Sequence, residues 1–213
     1  MDSHFNPWLE IWIRPKATIR RIIQENPNRS LWLLSAIYGF VSLLNDAQAL
    51  ALGLKFSALA IFLIAVILSP LWGYAFLSFW SLVVYWTGKW FKGIGHFQTI
   101  RAAYAWSCVP VIINVLSWLV LAAFFRSRLF LINSGNSEIS EALVYFLFFI
   151  FILRLIVAVW SLVIYLNALA EVQKYSVLKA IFNVIVTSLL MIPVFALISF
   201  IWELAKHIFN PAN

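Results

Sequence analysis

The fold is decided by long apolar stretches, of which the clearest is residues 142–169, ALVYFLFFIFILRLIVAVWSLVIYLNAL. A single charged side chain, Arg154, interrupts it. About 20 apolar residues in a helix cross the hydrocarbon core of a bilayer, which is roughly 30 Å thick. This stretch therefore predicts a transmembrane helix.

Four more segments have the same character, namely residues 31–50, 57–87, 102–125 and 177–202. The chain is 64% hydrophobic and 11% charged, whereas about a quarter of the residues in a soluble domain are charged. These features predict an all-α fold, a polytopic membrane bundle of about five transmembrane helices. One domain over residues 31–213 would follow a basic segment of residues 1–30.

Segment 57–87 is longer than one crossing requires, and it contains Pro70. A split at Pro70 would leave a first piece of about 13 residues, which is too short to span the bilayer. We therefore expect one long helix that is tilted, or kinked at the proline. A re-entrant hairpin is the alternative, and it would invert the topology of everything that follows.

The basic residues predict the orientation of the bundle. With five crossings and the amino terminus inside, ten of them fall in inner segments and four in outer segments, as the positive-inside rule requires. The inner set is Arg14, Lys16, Arg20, Arg21, Arg29, Lys89, Lys92, Arg101, Lys174 and Lys179, and the outer set is Lys55, Arg126, Arg128 and Lys206. We expect a cytoplasmic amino terminus and a carboxyl terminus on the outer side.

The net charge is +7. The excess of basic residues is explained by the orientation of the bundle and by their attraction to anionic headgroups. The expected partner is therefore the lipid bilayer at its inner face, and no nucleic acid is expected. Association through membrane helices would allow a homo-oligomer or a hetero-oligomer.

The amino-terminal segment has its own pattern. Pro15 suits the first turn of a helix, and residues 16–24 place Ile19, Ile22 and Ile23 on one side. This predicts an amphipathic helix that lies in the inner interface; a disordered basic tail is the alternative. Candidate contacts with the membrane surface or a partner are Trp8, Trp12, Arg14, Arg20, Arg21, Lys89, Lys92 and Arg101.

Small and polar residues recur at helical spacing in four of the apolar segments, which indicates either close helix packing or a polar pathway. The candidate intramembrane polar residues are Asp46, Asn114, Arg154 and Asn183. We expect Asp46 to pair with Arg154, since pairing removes two costly charges from the membrane. Glu203 is a competing partner for Arg154.

Residues for catalysis are not apparent. His4, His96 and His207 lie outside the apolar segments, and no two carboxylates share a predicted helix face at a spacing useful for acid–base chemistry. The lone cysteine, Cys108, excludes an internal disulfide and a cysteine-clustered metal site. We expect no enzymatic activity, no catalytic residue, no metal site and no cofactor.

Three stretches together resemble the Yip-domain family of integral membrane proteins. They are Asn6-Pro-Trp8 with Arg14-Pro15-Lys16 and Asn26-Pro27; Gly93-x-Gly95-x-Phe97 through Ile100-Arg-Ala102 to Val109-Pro110; and Ala168-Leu-Ala-Glu171 with Val177-Leu-Lys-Ala180. The resemblance implies a five-helix membrane domain with a cytoplasmic amino terminus. Eukaryotic members act in vesicle traffic with Rab-type GTPases and carry a long amino-terminal extension. About thirty residues stand here instead, so we expect the compact prokaryotic form, the bacterial inner membrane and no GTPase partner.

Two functions are compatible with these features. The first is a non-catalytic membrane protein that organises membrane or protein partners through the amino-terminal helix and the segment Lys89–Arg101. The alternative is a small-solute or ion permease with a polar pathway around Asp46, Asn114 and Arg154.

Overall fold

The computed structural model describes residues 5–125, 129–131 and 141–209, and side chains in its last helix as far as residue 201, except residues 195 and 198. Every regular element in these ranges is helical. In chain order they are α1 (Pro7–Glu10), α2 (Pro15–Glu25), α3 (Leu31–Ala49), a 3-10 turn (Leu52–Leu54), α4 (Ala58–Trp90), α5 (Phe97–Ser107), a 3-10 turn (Val109–Val111), α6 (Ile112–Phe125), α7 (Glu141–Gln173) and α8 (Val177–Phe209).

Four helical units are long and apolar enough to cross a membrane: α4, the α5–α6 unit Phe97–Phe125, α7, and Val177–Ile201 of α8. The prediction of membrane-length helices at these four places is confirmed. Helix α3 has 19 residues but is not one of the four, because Asn45, Asp46 and Gln48 make its second half polar. The count of five crossings stays a prediction.

Helix α4 runs without a break through Pro70, so the chain adopts the single long helix and not the re-entrant hairpin. Ser57 caps its start, where the hydroxyl accepts a hydrogen bond from the Ala60 N–H at 3.2 Å. Proline has no N–H to give to the carbonyl four residues earlier, here that of Val66. The Ser69 hydroxyl donates to that carbonyl instead, at 3.0 Å, which reduces the cost of the proline.

Helices α3 and α4 approach each other closely where both carry small residues at a spacing of four. A Cβ atom at Gly39 would collide with the backbone oxygen of Ser69, and one at Gly73 with that of Ser35. Small residues at this spacing allow membrane helices to pack backbone against backbone. The small and polar stripe of segment 31–50 therefore serves packing in this half of the helix.

Segment 102–125 is not one straight helix. Helix α5 ends at Ser107, a 3-10 turn covers Val109–Val111, and α6 follows directly. Pro110 lies in that turn, where the missing N–H costs least.

The core falls into two clusters. One lies beside α2, and we call that part of the bundle the α2 end; its fully buried side chains include Ile11, Ile19, Ile22, Leu77, Ile100, Trp106, Ile164 and Leu169. The other, at what we call the far end, contains Leu44, Ile61, Trp118, Leu121 and Phe130. At the far end the Gly53 N–H donates to the Phe130 carbonyl at 3.1 Å, and Gln48 Nε2 donates to the Leu129 carbonyl at 3.2 Å.

Candidate functional site

Helix α2 lies on the bundle and not apart from it. It spans Pro15–Glu25, close to the predicted 16–24, and the Thr18 hydroxyl donates to the Arg14 carbonyl at 2.9 Å to secure the first turn. Ile19 and Ile22 are fully buried in the core of the α2 end, while Ile23 is partly buried. The apolar side of the predicted amphipathic helix therefore contacts protein, and its location in a membrane interface stays a prediction.

A salt bridge joins α2 to the end of α7. Arg20 Nε and Nη2 donate to the two carboxylate oxygens of Glu171 at 2.9 and 3.0 Å, and Lys174 contacts the same carboxylate. This bidentate geometry orients the guanidinium more strictly than a single contact would. The hydrogen bonds to Glu171 raise the pKa of Arg20. Arg20 is still 57% exposed, so the pair fixes a position more than it stabilises the fold.

The loop between α4 and α5 is held by Gln173, the last residue of α7. The Ile94 N–H donates to the Gln173 carbonyl at 3.2 Å, and the Gly95 N–H donates to its side-chain Oε1 at 3.0 Å. A Cβ atom at Gly93 would collide with the Gln173 side chain. A side chain at position 93 would therefore force the Gln173 amide to move, and with it the hydrogen bond to Gly95.

Asn183 joins α8 to α4. Its Oδ1 accepts from the Thr87 hydroxyl at 2.5 Å, its Nδ2 donates to the Tyr175 hydroxyl at 2.9 Å, and Thr87 also lies 2.7 Å from the Thr187 hydroxyl. Burial raises the pKa of Tyr175 to about 12, against a smaller lowering by Asn183. Tyr175 is therefore neutral at physiological pH. Asn183 is fully buried and serves to connect helices.

Arg101 was predicted to lie at the membrane surface, and that prediction is wrong. Its side chain is 8% exposed because α5 already begins at Phe97, which turns Arg101 towards α4. Nη1 donates to the Tyr74 hydroxyl at 2.7 Å, and Nη2 donates to Asn28 Oδ1 at 3.1 Å. The guanidinium also lies near the rings of Tyr74 and Phe97, 4.9 and 5.1 Å from their centroids. Arg101 connects three segments inside the protein.

The other predicted surface residues fall into two groups. Trp8 and Trp12 are half-buried against the core, and the ring of Trp8 meets that of Trp106 edge-on at 5.3 Å. Arg21 pairs with Glu25 at 3.1 Å. Arg20 is exposed and paired with Glu171, whereas Arg14, Lys89 and Lys92 are exposed without an ion pair among the described residues. The same holds for Lys16 and Lys179, which were counted only in the charge balance.

The predicted pair between Asp46 and Arg154 does not form. Arg154 Nε donates to the Ser117 hydroxyl at 3.0 Å, and its guanidinium lies over the Trp118 ring, 4.6 Å from the centroid. Asp46 is exposed on α3. The side chain of Glu203, the competing partner, lies outside the described residues. Asn114 is half-buried one turn before Ser117 on α6, and its Oδ1 has no hydrogen-bond partner among the described residues.

The most informative residues of the α2 end were not predicted as site residues. Glu171 appeared only within a motif, and Gln173, Tyr175, Thr87, Tyr74 and Asn28 not at all. The only feature of the sequence that could have pointed to these residues is the presence of the three stretches with family motifs. The structure brings all three together at the α2 end.

An all-helical chain with four membrane-length apolar helices and a closely packed basic end is a polytopic integral membrane protein. The family model described as the Yip1 domain matches residues 9–198. The chain therefore belongs to the Yip1-domain family, and the resemblance found in the sequence is confirmed. Comparison with curated proteins found no match, and comparison with solved structures found none either.

Proposed function

We propose that this protein is a non-catalytic membrane protein that organises anionic lipid, and partners that share it, through a basic platform at the α2 end. The platform consists of residues 7–25, which include α1, α2 and the segment between them, and of the α4–α5 loop. Its exposed bases are Arg14, Lys16 and Lys92, together with Lys89 at the end of α4. The observation that carries the proposal is the docking of α2, because Ile19 and Ile22 are buried and Arg20 is fixed on Glu171. Docking holds the exposed bases in a constant arrangement relative to the bundle.

Charge favours an anionic ligand for the platform. Among the described acidic residues nearby, Glu25 already contacts Arg21 and Arg29, and Glu171 already contacts Arg20 and Lys174. Glu10 is the one without an ion pair, so four exposed bases face a single unpaired carboxylate. The four exposed bases make no ion pair within the described residues. A basic residue near an anionic membrane surface gains about 1 kcal/mol, so the four together supply an attraction on the order of 4 kcal/mol at low salt.

We also propose an orientation for the platform in a bacterial inner membrane. In it the chain crosses the membrane five times, because α3 crosses in addition to the four membrane-length units. The platform then faces the cytoplasm, and the Leu52–Leu54 turn faces outward. The close packing of α3 on α4 supports this arrangement, because a helix that packs along a membrane helix shares its depth.

A membrane-impermeant maleimide tests the orientation in right-side-out vesicles, with Lys55→Cys and Lys92→Cys as probes. Cys108 is buried and does not interfere. Labelling of Lys55→Cys alone is expected, and labelling of Lys92→Cys alone would contradict the orientation.

Energy transfer tests the lipid preference directly. The chain has 11 tryptophans, including two in the platform, and these transfer energy to dansyl-labelled lipid in proteoliposomes. We expect stronger transfer to dansyl-phosphatidylglycerol than to dansyl-phosphatidylcholine, and a loss of that difference when Arg14, Lys16, Lys89 and Lys92 are all changed to Gln. The matched control exchanges Lys and Arg at the same four positions and keeps the preference. Equal transfer to both lipids in the unmodified protein would contradict the proposal.

A second candidate function is the small-solute or ion permease. The observation in its favour is that Asn114 Oδ1 and Arg154 Nη2 are both buried without a hydrogen-bond partner among the described residues. Buried polar groups of this kind normally have a partner, often water. Proteoliposome flux of inorganic ions or small zwitterions that is lost in Asn114→Leu but kept in Leu116→Ala would support it. Flux that is absent, or unchanged in Asn114→Leu, would dismiss it.

A further inference from the structure

A groove lies between the segment that joins α1 to α2 and the membrane helix α7. It has a volume of about 400 Å³, within the range of roughly 300–1,000 Å³ that is typical of small-molecule sites. One wall is formed by Trp12, Ile13 and Pro15, and the other by Trp160, Val163, Ile164 and Asn167.

The lining is apolar except for Asn167, and the groove opens towards the surface that α7 turns to its surroundings. Ile164 is fully buried, whereas Val163 and Trp160 remain partly exposed on α7. Ile13 is 82% exposed, although it sits in a well-packed end of the protein. An exposed isoleucine in a groove that Trp12 and Trp160 also line is suited to hydrocarbon at the membrane interface, where tryptophan is enriched.

Two cations stand beside the groove. Arg14 and Lys16 flank Pro15 in the sequence, and both are exposed. Neither forms an ion pair within the described ranges of the chain, since Glu25 and Glu171 pair with other bases. Glu10 precedes Arg14 by one helical turn, and its carbonyl accepts a hydrogen bond from the Arg14 N–H at 2.8 Å. Its carboxylate forms no ion pair among the described residues. Two exposed cations thus flank lining residues of the groove in the chain, and no ion pair among the described residues neutralises them.

We propose that this groove binds one anionic phospholipid, with an acyl chain between Trp12 and Trp160 and the phosphate against Arg14 and Lys16. Apolar lining next to unneutralised cations matches an amphiphile with a negative headgroup. Long basic side chains near the ends of membrane helices reach the headgroups in this manner. The inference rests on the proposed function, since it assigns a defined lipid to the platform. It adds a single site with a stoichiometry of one.

Native mass spectrometry of the full chain in detergent tests this, with dioleoyl-phosphatidylglycerol and dioleoyl-phosphatidylcholine titrated separately. We expect one tightly bound phosphatidylglycerol per chain. Two charge contacts at about 1 kcal/mol each should favour it about thirty-fold over phosphatidylcholine. The double variant Arg14→Gln, Lys16→Gln should bind the two lipids equally.

A variant that fills the groove separates this site from general attraction to the platform. Val163→Trp places a large side chain in the groove, and Leu162→Trp is its matched control, because the two positions are adjacent on α7 and similarly exposed at 38% and 47%. Val163→Trp should lose the single tight lipid, while Leu162→Trp keeps it. Both should keep the energy-transfer preference for dansyl-phosphatidylglycerol, which depends on all four bases.

Three results would overturn the groove site. They are equal lipid binding by Val163→Trp and Leu162→Trp, no discrimination between the two lipids by the unmodified chain, or displacement of the lipid by inorganic phosphate, which would indicate an anion site without hydrocarbon. Any of these with the energy-transfer preference intact leaves the platform standing. Loss of that preference in the unmodified chain contradicts the platform itself.

Discussion

The α2 end and the far end of the bundle are held together by the same kinds of contact in different proportions. At the α2 end, hydrogen bonds and a bidentate salt bridge join residues more than seventy positions apart, as in Arg20 with Glu171 and Gly95 with Gln173. At the far end, two hydrogen bonds, from Gly53 to Phe130 and from Gln48 to Leu129, accompany the packing of aromatic rings. Phe130 stacks on Trp118 at 5.7 Å and meets Phe62 edge-on at the same separation. Directional contacts specify one arrangement, whereas apolar packing tolerates repacking.

This difference indicates where the specific surface lies. A surface that must present charges in fixed positions requires contacts that fix geometry, and these are concentrated at the α2 end. The far end needs only to close the bundle. If the comparison is correct, changes at the two ends should have separable effects on stability and on the platform.

The largest effect is expected from Trp118→Ala at the far end. Trp118 is fully buried, and removal of a buried tryptophan side chain costs about 3–5 kcal/mol. It also removes the ring that lies beside Arg154. Unfolding of the detergent-solubilised protein measures the loss, with the exposed neighbour Leu119→Ala as control. Lipid preference of the protein that remains folded should be unchanged, and a lost preference would show that the two ends are not separable.

A smaller loss is expected from Asn183→Leu at the α2 end. The substitution keeps the approximate size of the side chain but leaves the buried Thr87 hydroxyl and the half-buried Tyr175 hydroxyl without this partner. An unsatisfied buried polar group costs about 1–3 kcal/mol. The same unfolding measurement applies, and Phe182→Ala on the exposed side of α8 is the control. Amide hydrogen exchange should become faster in the α7–α8 connection. An unchanged exchange rate there would show that Asn183 does not hold this connection.

The smallest effect on stability is expected from Arg20→Gln, because Arg20 is largely exposed and exposed ion pairs contribute little. Its effect should appear in local order instead. Amide exchange in α2 should be faster than in the unmodified protein, with a similar increase in Glu171→Gln and no further increase in the double variant. Additive increases would mean that the two side chains act independently.

The long apolar helices could be predicted from the sequence because length and composition decide them. The same holds for α2, whose start at Pro15 and apolar face follow from local spacing. The single helix through Pro70 could also be predicted, since a split at Pro70 would leave a first piece that is too short to span the bilayer.

The contacts of individual polar residues could not be predicted, because they depend on register and on partners distant in the sequence. Arg101 next to an apolar segment resembles a surface anchor, and only the start of α5 at Phe97 turns it inward. Arg154 was assigned to Asp46 because both are costly in a membrane. Ser117 and Trp118 on the adjacent helix α6 provide the nearer contacts.

The docking of α2 on the end of α7 is the feature on which the platform depends, and cross-linking tests it most directly. Arg20 and Lys174 are both exposed, and both contact Glu171, so Arg20→Cys with Lys174→Cys brings two accessible thiols close together. A short bis-maleimide applied to opened membranes should cross-link them. The control pair Arg20→Cys with Lys55→Cys should be labelled singly but not cross-linked, because Lys55 lies at the far end. Efficient single labelling of Arg20→Cys and Lys174→Cys without a cross-link would contradict the docked platform.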